Sequence, residues 1–439
     1  MPSVRWVCSP IPSPTSSPVS VTSPETAAGG KKVVLAATAG PWNRIDDGYE
    51  RAETVSPGRS TGDPMDRRDD DDRLVDRDDG GIGLRIAPGC YAVEAGIAGR
   101  LDRYLGRKGD VSDVAVLAGE TALSAARDGI ERSLDALGAE YTVLPFEGVC
   151  SPDRIAGYRR TVDAEAPDLL VGVGGGKALD AAKLVAEGRC PVATIPTVAA
   201  TCAAWTPVSV LHEEDGSYLG AATLSRCPEW ALVDPGIIAD APRRLLAAGI
   251  MDATAKYFET ARIPPGRAGV PARLGMGVAR ESYVACLRDD ARAALDACER
   301  GEPNDTLGDV IDACIAGPGL AAGLLGRQPH LLLAHVLCYS LLDYDGVRAA
   351  SYHGERVAYG VLVFQSLLGE GRETVAELKA WYGDLGAELS LEALGLPSDD
   401  ERTAASLAGK VHERADDDLI EREFSREDVR DAIAAVEAL

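Results

Sequence analysis

Lysine is scarce in this 439-residue chain: only eight of its 45 basic residues are lysine, and the rest are arginine. Set against 69 acidic residues this leaves a formal charge of −24. Such a polyanion is repelled by phosphate backbones and anionic headgroups, so neither nucleic acid nor a membrane is expected as a partner. An acid-rich, lysine-poor surface stays hydrated when salt screens charge repulsion, the pattern of a halophilic protein; a GC-rich coding sequence gives the same arginine bias. Long hydrophobic runs are also missing, and no stretch of 18 apolar residues is present to span a bilayer. Residues 1–24 are rich in Ser and Pro without a continuous apolar core, which excludes a secretory signal. The ten cysteines include no CxxC pair, so reduced thiols in a cytoplasmic protein are expected.

What is present suits a globular protein of two domains, with 46 % hydrophobic residues. Residues 1–80 run from Pro/Ser repeats into DDDDRLVDRDDGG and cannot bury enough surface to offset ordering entropy; they are read as a disordered acidic extension, or as the product of a misplaced start codon. This segment carries only −4 of the net charge, so −20 belongs to the rest. From Ile82 the pattern alternates. An amphipathic stretch near Ala95–Tyr104 precedes the apolar run Val114–Glu120, a helix over Ala122–Leu137, YTVLPF at Tyr141–Phe146 and a helix near Arg154–Ala166. The run Asp168–Val173, a helix from Ala178 and PVATIP at Pro191–Pro196 follow. That order predicts right-handed βαβ units and a parallel sheet. Val208–Leu219 reads as a hairpin turning at Asp215-Gly216, and WALVDP at Trp230–Pro235 as one more strand. Beyond about Ala241 the pattern is helical. The expected architecture is an α/β dinucleotide-binding domain over residues 81–243 and an all-α metal-binding domain over 244–439.

Gly174-Gly175-Gly176-Lys177 lies between an apolar run and a helix. Glycines there let a backbone approach a pyrophosphate, and the helix start offers free N–H groups. It is neither GxGxxG nor a P-loop, and a tight turn without a ligand has the same sequence. Glu120 ends an earlier run, at the edge where a carboxylate could accept ribose hydroxyls, or serve only as a solvated loop residue. Asp252 lies on the first long helix of the second half, His335 in the apolar stretch LLLAHVLCYSLL, and His353 18 residues later at the head of HGERVAYG. A carboxylate and two imidazoles leave a divalent metal with open positions. His335 alone would read as a hydrogen-bonded core histidine.

VGVGGGKALDAAK, the TIPTVAAT loop, VDPGIIADAPRRLLAAGIMDATAKYFE and HGERVAYG, in this order from about Ile82, resemble the glycerol dehydrogenase branch of the iron-type (group III) alcohol dehydrogenases. The resemblance implies a dehydroquinate synthase-like fold and a homo-oligomer, with NAD(H), or else NADP, in the α/β domain and a metal in the cleft. It implies Asp252, His335 and His353 as metal ligands and catalytic centre. Gly174, Gly175, Gly176, Lys177, Asp180, Thr197, Thr201 and Glu120 would meet the dinucleotide.

The departures carry information. Iron enzymes of the family place a second His four residues after the ligand Asp; here that position is Lys256, which implies three protein ligands and zinc in preference to iron. Glycerol dehydrogenases have an Asp in the loop after the PT turn, where this chain has Cys202, and a thiol is a poor acceptor for a polyol. The TCAAWTP string, with Cys202 and Thr206, is similar instead to hydroxycarboxylate dehydrogenase A, a relative that reduces 2-oxo acids. Cys338 replaces a His found in both relatives, so proton transfer falls to water or His212, and Lys256 could counter a substrate carboxylate. The expected function is metal-dependent hydride transfer between NAD(H) and a small 2-hydroxy/2-oxo acid or polyol, glycerol/dihydroxyacetone being the alternative. Two further readings are a sugar-phosphate cyclase, disfavoured by the lack of a basic cluster near His335 or His353, and a non-catalytic nucleotide-binding relative.

Overall fold

Among the described residues nine strands occur, seven of them in the alternation with helices or the hairpin that the sequence predicts, with a few shifts that matter for the site. The computed structural model describes residues 5–6, 84–106, 110–261, 263, 268–326, 333–396, 401–415 and 424–439. The strands are β1 (Arg5–Trp6), β2 (Cys90–Val93), β3 (Asp113–Ala118), β4 (Glu140–Pro145), β5 (Leu169–Gly174), β6 (Val192–Pro196), β7 (Val208–His212), β8 (Tyr218–Thr223) and β9 (Trp230–Val233). Seven of them form one sheet in the order β1-β2-β9-β6-β5-β3-β4, parallel throughout except for the antiparallel edge pair β1–β2. Apart from Arg5–Trp6, the disorder expected for residues 1–80 lies outside the described residues.

Both faces of the sheet are covered, as a parallel sheet requires. Along β3, Val114, Val116 and Ala118 pack on one side with Ala126, Ile130 and Leu134 of α1 (Glu120–Leu137). Ala115 and Leu117 point the other way, into a cluster with Ile155 of α2 (Pro152–Glu165) and Ala181 and Val185 of α3 (Gly176–Ala186). The two-residue period of the strand sends successive side chains to opposite faces, so the apolar runs are continuous rather than alternating. The hairpin β7–β8 stands as a separate two-stranded sheet and turns at Gly216, where φ is +87°.

Three expectations shift. β2 reads as no strand in the sequence, because four residues after a Pro-Gly give too short a pattern to register. The amphipathic stretch near Ala95–Tyr104 is a 3-10 turn, Ile97–Arg100, followed by the short helix Asp102–Leu105. Glu120 does not end a strand. β3 stops at Ala118, Gly119 is extended, and Glu120 opens α1, where its carboxylate meets the positive end of the helix dipole.

No strand occurs after Val233 among the described residues. Helices α4 (Arg243–Thr260), α5 (Asp305–Leu325), α6 (Leu333–Leu341) and α7 (His353–Leu367) enclose a second core that runs without a break onto Ala199, Trp205, Ala231 and Val233 of the α/β half. The loop after β6 is the fastening. Trp205 donates from Nε1 to the carbonyl of Ile86 at 2.9 Å and lies flat on Gly319 of α5, where any side chain would collide with its ring. α5 is long and apolar enough to cross a membrane by length and composition, yet half of that window is buried inside the protein.

Candidate active site

The chain leaves β3 for the β4 edge and returns to pair β5 on the opposite side, with Ala118 beside Val173. Loops that diverge from two neighbouring parallel strands open a crevice beyond their carboxyl ends. Gly174 turns the chain there with φ +147°, and a Cβ at this position would lie 3.0 Å from Cβ of Ala178 and 3.6 Å from Cβ of Ala122. α3 then starts at Gly176 behind Gly175, with no side-chain cap. Its first N–H groups therefore face the crevice open to an anion. Thr197 donates its N–H to the carbonyl of Gly174 at 3.1 Å, and Oγ1 of Thr201 lies 3.0 Å from where a Cβ on Gly176 would be. Glu120 stands exposed at the head of α1, across the same crevice.

Asp180 lies beneath this surface and is engaged by the protein. Its Oδ1 pairs with Nζ of Lys183 at 3.0 Å and its Oδ2 accepts the N–H of Val210 at 3.1 Å. Lys183, only 1 % exposed, also donates to the carbonyls of Thr206 and Val208. This buried pair ties α3 to the hairpin. Burial raises the Asp180 carboxyl above its ordinary value, and Lys183 opposes that rise. Thr206, assigned toward substrate from the sequence, is buried in the same network.

Asp252, His335 and His353 come together as the sequence leads one to expect. One ligand atom from each lies within 4.8 Å of the others. The helices can meet so closely because glycines occupy the crossings. A Cβ on Gly249, one turn before Asp252, would lie 1.7 Å from the carbonyl oxygen of Ala199; one on Gly354, next to His353, would lie 1.7 Å from that of Ala248. Backbone contact between α7 and α4 places the ligand residues at the seam.

The chemistry around the triad shows what it can hold. Nδ1 of His335 lies 2.8 Å from Oε1 of fully buried Glu259, and Nδ1 of His353 lies 3.4 Å from Sγ of Cys338. Both imidazoles thus use Nδ1 on the protein and turn Nε2 toward Oδ1 of Asp252, at 3.4 Å and 3.1 Å. That oxygen is buried and makes no hydrogen bond of normal geometry. Two imidazole nitrogens converging on one buried carboxylate oxygen require positive charge between them. Without a metal, protons supply it. Burial opposes a charged imidazole, but Glu259 and Asp252 lift His335 to about 9, and Cys338 and Asp252 lift His353 to about 10. A divalent cation would replace those protons, and the nitrogen and oxygen donors suit zinc or iron. The donor set fits a catalytic metal.

The Cys202 thiol, half-buried, is pushed up to about 11, by burial first and then by the Asp252 carboxylate, so it is neutral. Lys256, one turn after Asp252, lies 3.8 Å from Glu259, which offsets its charge. His212 keeps a buried Nδ1 without a partner; burial, then Lys177, depress it to about 4. Tyr339 of α6 stacks at 4.0 Å on Tyr218 of the hairpin and lies 6.1 Å from His353 between ring centroids. Sequence reasoning passed over Glu259, although a position seven residues after Asp252 on one helix shares its face. It also expected no basic cluster near His335 or His353 and gave no role to Arg356, which lies one turn along α7.

A glycine turn at the carboxyl edge of a parallel sheet and a two-histidine, one-carboxylate cluster are parts that a metal-dependent oxidoreductase acting on CH–OH groups needs. The comparisons with known proteins agree. The profile of the family described as iron-containing alcohol dehydrogenase matches residues 88–235. Hydroxycarboxylate dehydrogenase A of Escherichia coli K12 is 33 % identical over 269 residues, covering 60 % of this chain and 72 % of that protein. A glycerol dehydrogenase of Pseudomonas putida is 31 % identical over 326 residues, covering 71 % and 85 %. The crystal structure of a probable glycerol dehydrogenase from Sinorhizobium meliloti 1021 superposes with a TM-score of 0.71 at 29 % identity, over 80 % of this chain and 97 % of the other. The chain belongs to the iron-containing alcohol dehydrogenase family, whose members use NAD(H) and a divalent metal.

Proposed function

We propose that this dehydrogenase interconverts small 2-hydroxy and 2-oxo acids, with Asp252, His335 and His353 as the protein ligands of one divalent metal, zinc in preference to iron. The observation that carries the substrate class is Cys202: a half-buried neutral thiol in the loop after β6, raised in part by the charge of Asp252, cannot accept hydrogen bonds from a polyol as a carboxylate would. Glycerol/dihydroxyacetone is the alternative, supported by the glycerol dehydrogenases among the relatives.

When bound, the metal polarises the substrate oxygen and NAD(H) exchanges the hydride. The protein's own groups do the rest. Glu259 accepts the Nδ1 proton of His335 and holds that ring in the tautomer that leaves Nε2 free. Cys338 does the same for His353 through sulfur. The start of α3 and Gly174–Gly176 receive the pyrophosphate, with Lys177 beside it and Thr197 and Thr201 packed behind the turn. Glu120 takes the ribose hydroxyls and disfavours a 2′-phosphate, which selects NAD over NADP. Asp180 acts at one remove, holding α3 in place against the hairpin. His212 or water carries the proton, in place of the imidazole missing at Cys338. Residues 81–243 and 244–439 serve as the cofactor and metal halves of a homo-oligomeric, cytoplasmic enzyme adapted to salt.

The test is NADH oxidation by purified protein with added zinc, manganese or iron, over 2-oxo acids, aldehydes and dihydroxyacetone at low and high salt. The expected result is turnover of 2-oxo acids at least tenfold better in kcat/KM than of dihydroxyacetone. The reverse preference sinks the acid reading.

A further inference from the structure

In a chain with 69 acidic residues, three cations on one side of the cleft form no ion pair among the described residues. They are Arg356 on α7, Arg348 just before it, and Lys177 at the head of α3. Arg356 is the informative one. It is 7 % exposed, and one turn of helix separates it from His353. Its Nη1 donates to the carbonyl and the hydroxyl of Ser351, at 2.5 and 3.2 Å, while its Nε is buried without a partner. The adjacent carboxylate, Glu355, is taken by Arg244. A buried guanidinium normally keeps a carboxylate beside it, because desolvation otherwise goes uncompensated. No carboxylate is hydrogen-bonded to Arg356 among the described residues, and Arg348 donates to the carbonyl of Leu342 at 3.2 Å. Arg348 lies against Gly216 at the hairpin turn, its Cδ and Nε each 3.1 Å from where a Cβ would be. His212, at the base of the same hairpin, presents a buried Nδ1 without a partner. Lys177, exposed at the head of α3, has its ammonium drawn below its ordinary value, by desolvation first and then by Arg356 and Arg348.

We propose that Arg356, with Arg348 at the hairpin turn, forms an anion subsite beside the metal ligands that takes the carboxylate of the acid substrate. The proposal rests on the acid-dehydrogenase reading and identifies the group that selects an acid over a neutral polyol. Arg356 is suited to it, since a guanidinium offers paired donors matching the two carboxylate oxygens. Lys256 is the weaker choice because Glu259 already neutralises it. The other anion that could lie here is the dinucleotide's pyrophosphate, and the test separates the two.

The experiment uses the full-length metal-loaded enzyme with NADH and oxamate, an unreactive 2-oxo acid analogue, its binding followed by NADH fluorescence. Arg356→Met should weaken oxamate about 10- to 100-fold, the loss expected for a charge-assisted hydrogen bond, and raise the KM for 2-oxo acids in parallel. Arg356→Lys should recover part of it, and NADH affinity should move by less than about twofold. Arg348→Gln, at an exposed side chain, should weaken oxamate about threefold. Unchanged oxamate affinity in Arg356→Met or Arg348→Gln overturns the subsite. A parallel loss of NADH affinity overturns it too, by assigning the cations to the pyrophosphate. If the wild type turns over only neutral substrates yet binds oxamate through Arg356, the acid-dehydrogenase reading falls and the subsite stands.

Discussion

The two halves of the active site are built by different means. The dinucleotide crevice is local: one strand end, one glycine turn and the first turn of one helix, all within Leu169–Ala186, with Glu120 brought in by the neighbouring strand. The proposed metal cluster is assembled from three helices whose residues together span about a hundred positions, and glycine-to-carbonyl contacts bring the helices together. A local site tolerates distant changes, whereas a cluster at helix crossings fails whenever any crossing shifts.

The largest expected effect breaks the cluster at its shared carboxylate. Asp252→Ala should abolish stoichiometric metal, read by elemental analysis, and lower kcat at least about a thousandfold, the several kcal/mol a Lewis acid contributes. Circular dichroism should stay native, and metal retained at wild-type stoichiometry would refute the ligand assignment.

Next comes the crossing itself. Gly354→Ala forces a methyl against the Ala248 carbonyl, where the gap is 1.7 Å, and should cost roughly 1–3 kcal/mol or more in denaturant unfolding together with loss of metal affinity. Gly174→Ala strains a φ of +147° and should cost a similar amount, but its functional signature should be a raised KM for NADH with metal binding intact. If both substitutions damage metal and cofactor binding alike, the distinction between the halves fails.

Glu259→Gln is subtler. It keeps a hydrogen bond to His335 but removes the charge, and metal affinity by chelator competition should fall roughly 10- to 100-fold. Glu259→Asp should lie between. An unchanged affinity would make Glu259 a packing residue only.

The smallest effect is at the seam. His212 has a folded pKa of about 4, depressed by burial and then by Lys177. Against an unfolded value near 6.5, the unfolded chain binds the extra proton between those limits. The stabilising contribution is therefore complete above about pH 6.5 and is lost as pH falls toward 4. His212→Gln should remove up to about 1.4 kcal/mol per pH unit from the slope of stability in that window, measured by urea titration at stepped pH. A slope equal to that of the wild type would place the acid sensitivity elsewhere.

Much of the fold was legible because strands and turns write themselves in short-range patterns. Continuous apolar runs between helical repeats marked β3, β5, β6 and β9, and Asp215-Gly216 marked the hairpin turn. Cys90–Val93 was missed because four residues carry too little periodicity, and Glu120 was misplaced because Gly119 ends the strand with a single extended residue. The site divides in the same way. The glycine turn, Asp252 and the two histidines stood out by residue type and motif. Their partnerships did not: Glu259 is an ordinary helix residue until its helix meets His335, Cys338 drew notice only as a replaced His and not as a partner of His353, and Lys183 looks like a solvent-exposed lysine until the hairpin covers it.

By itself, then, the sequence determined the α/β-then-helical order, the dinucleotide turn and the candidate ligands, since each depends on neighbours a few residues away. Tertiary structure alone decided which nitrogen of each histidine is free and which charges are cancelled. The net −24 is the clearest case. Read along the chain it predicts a uniformly acidic molecule, yet folding pairs Lys256 with Glu259 and leaves Arg356 buried without an acid beside it. Charge compensation acts through space over a few ångströms, and only the folded chain brings those distances into being.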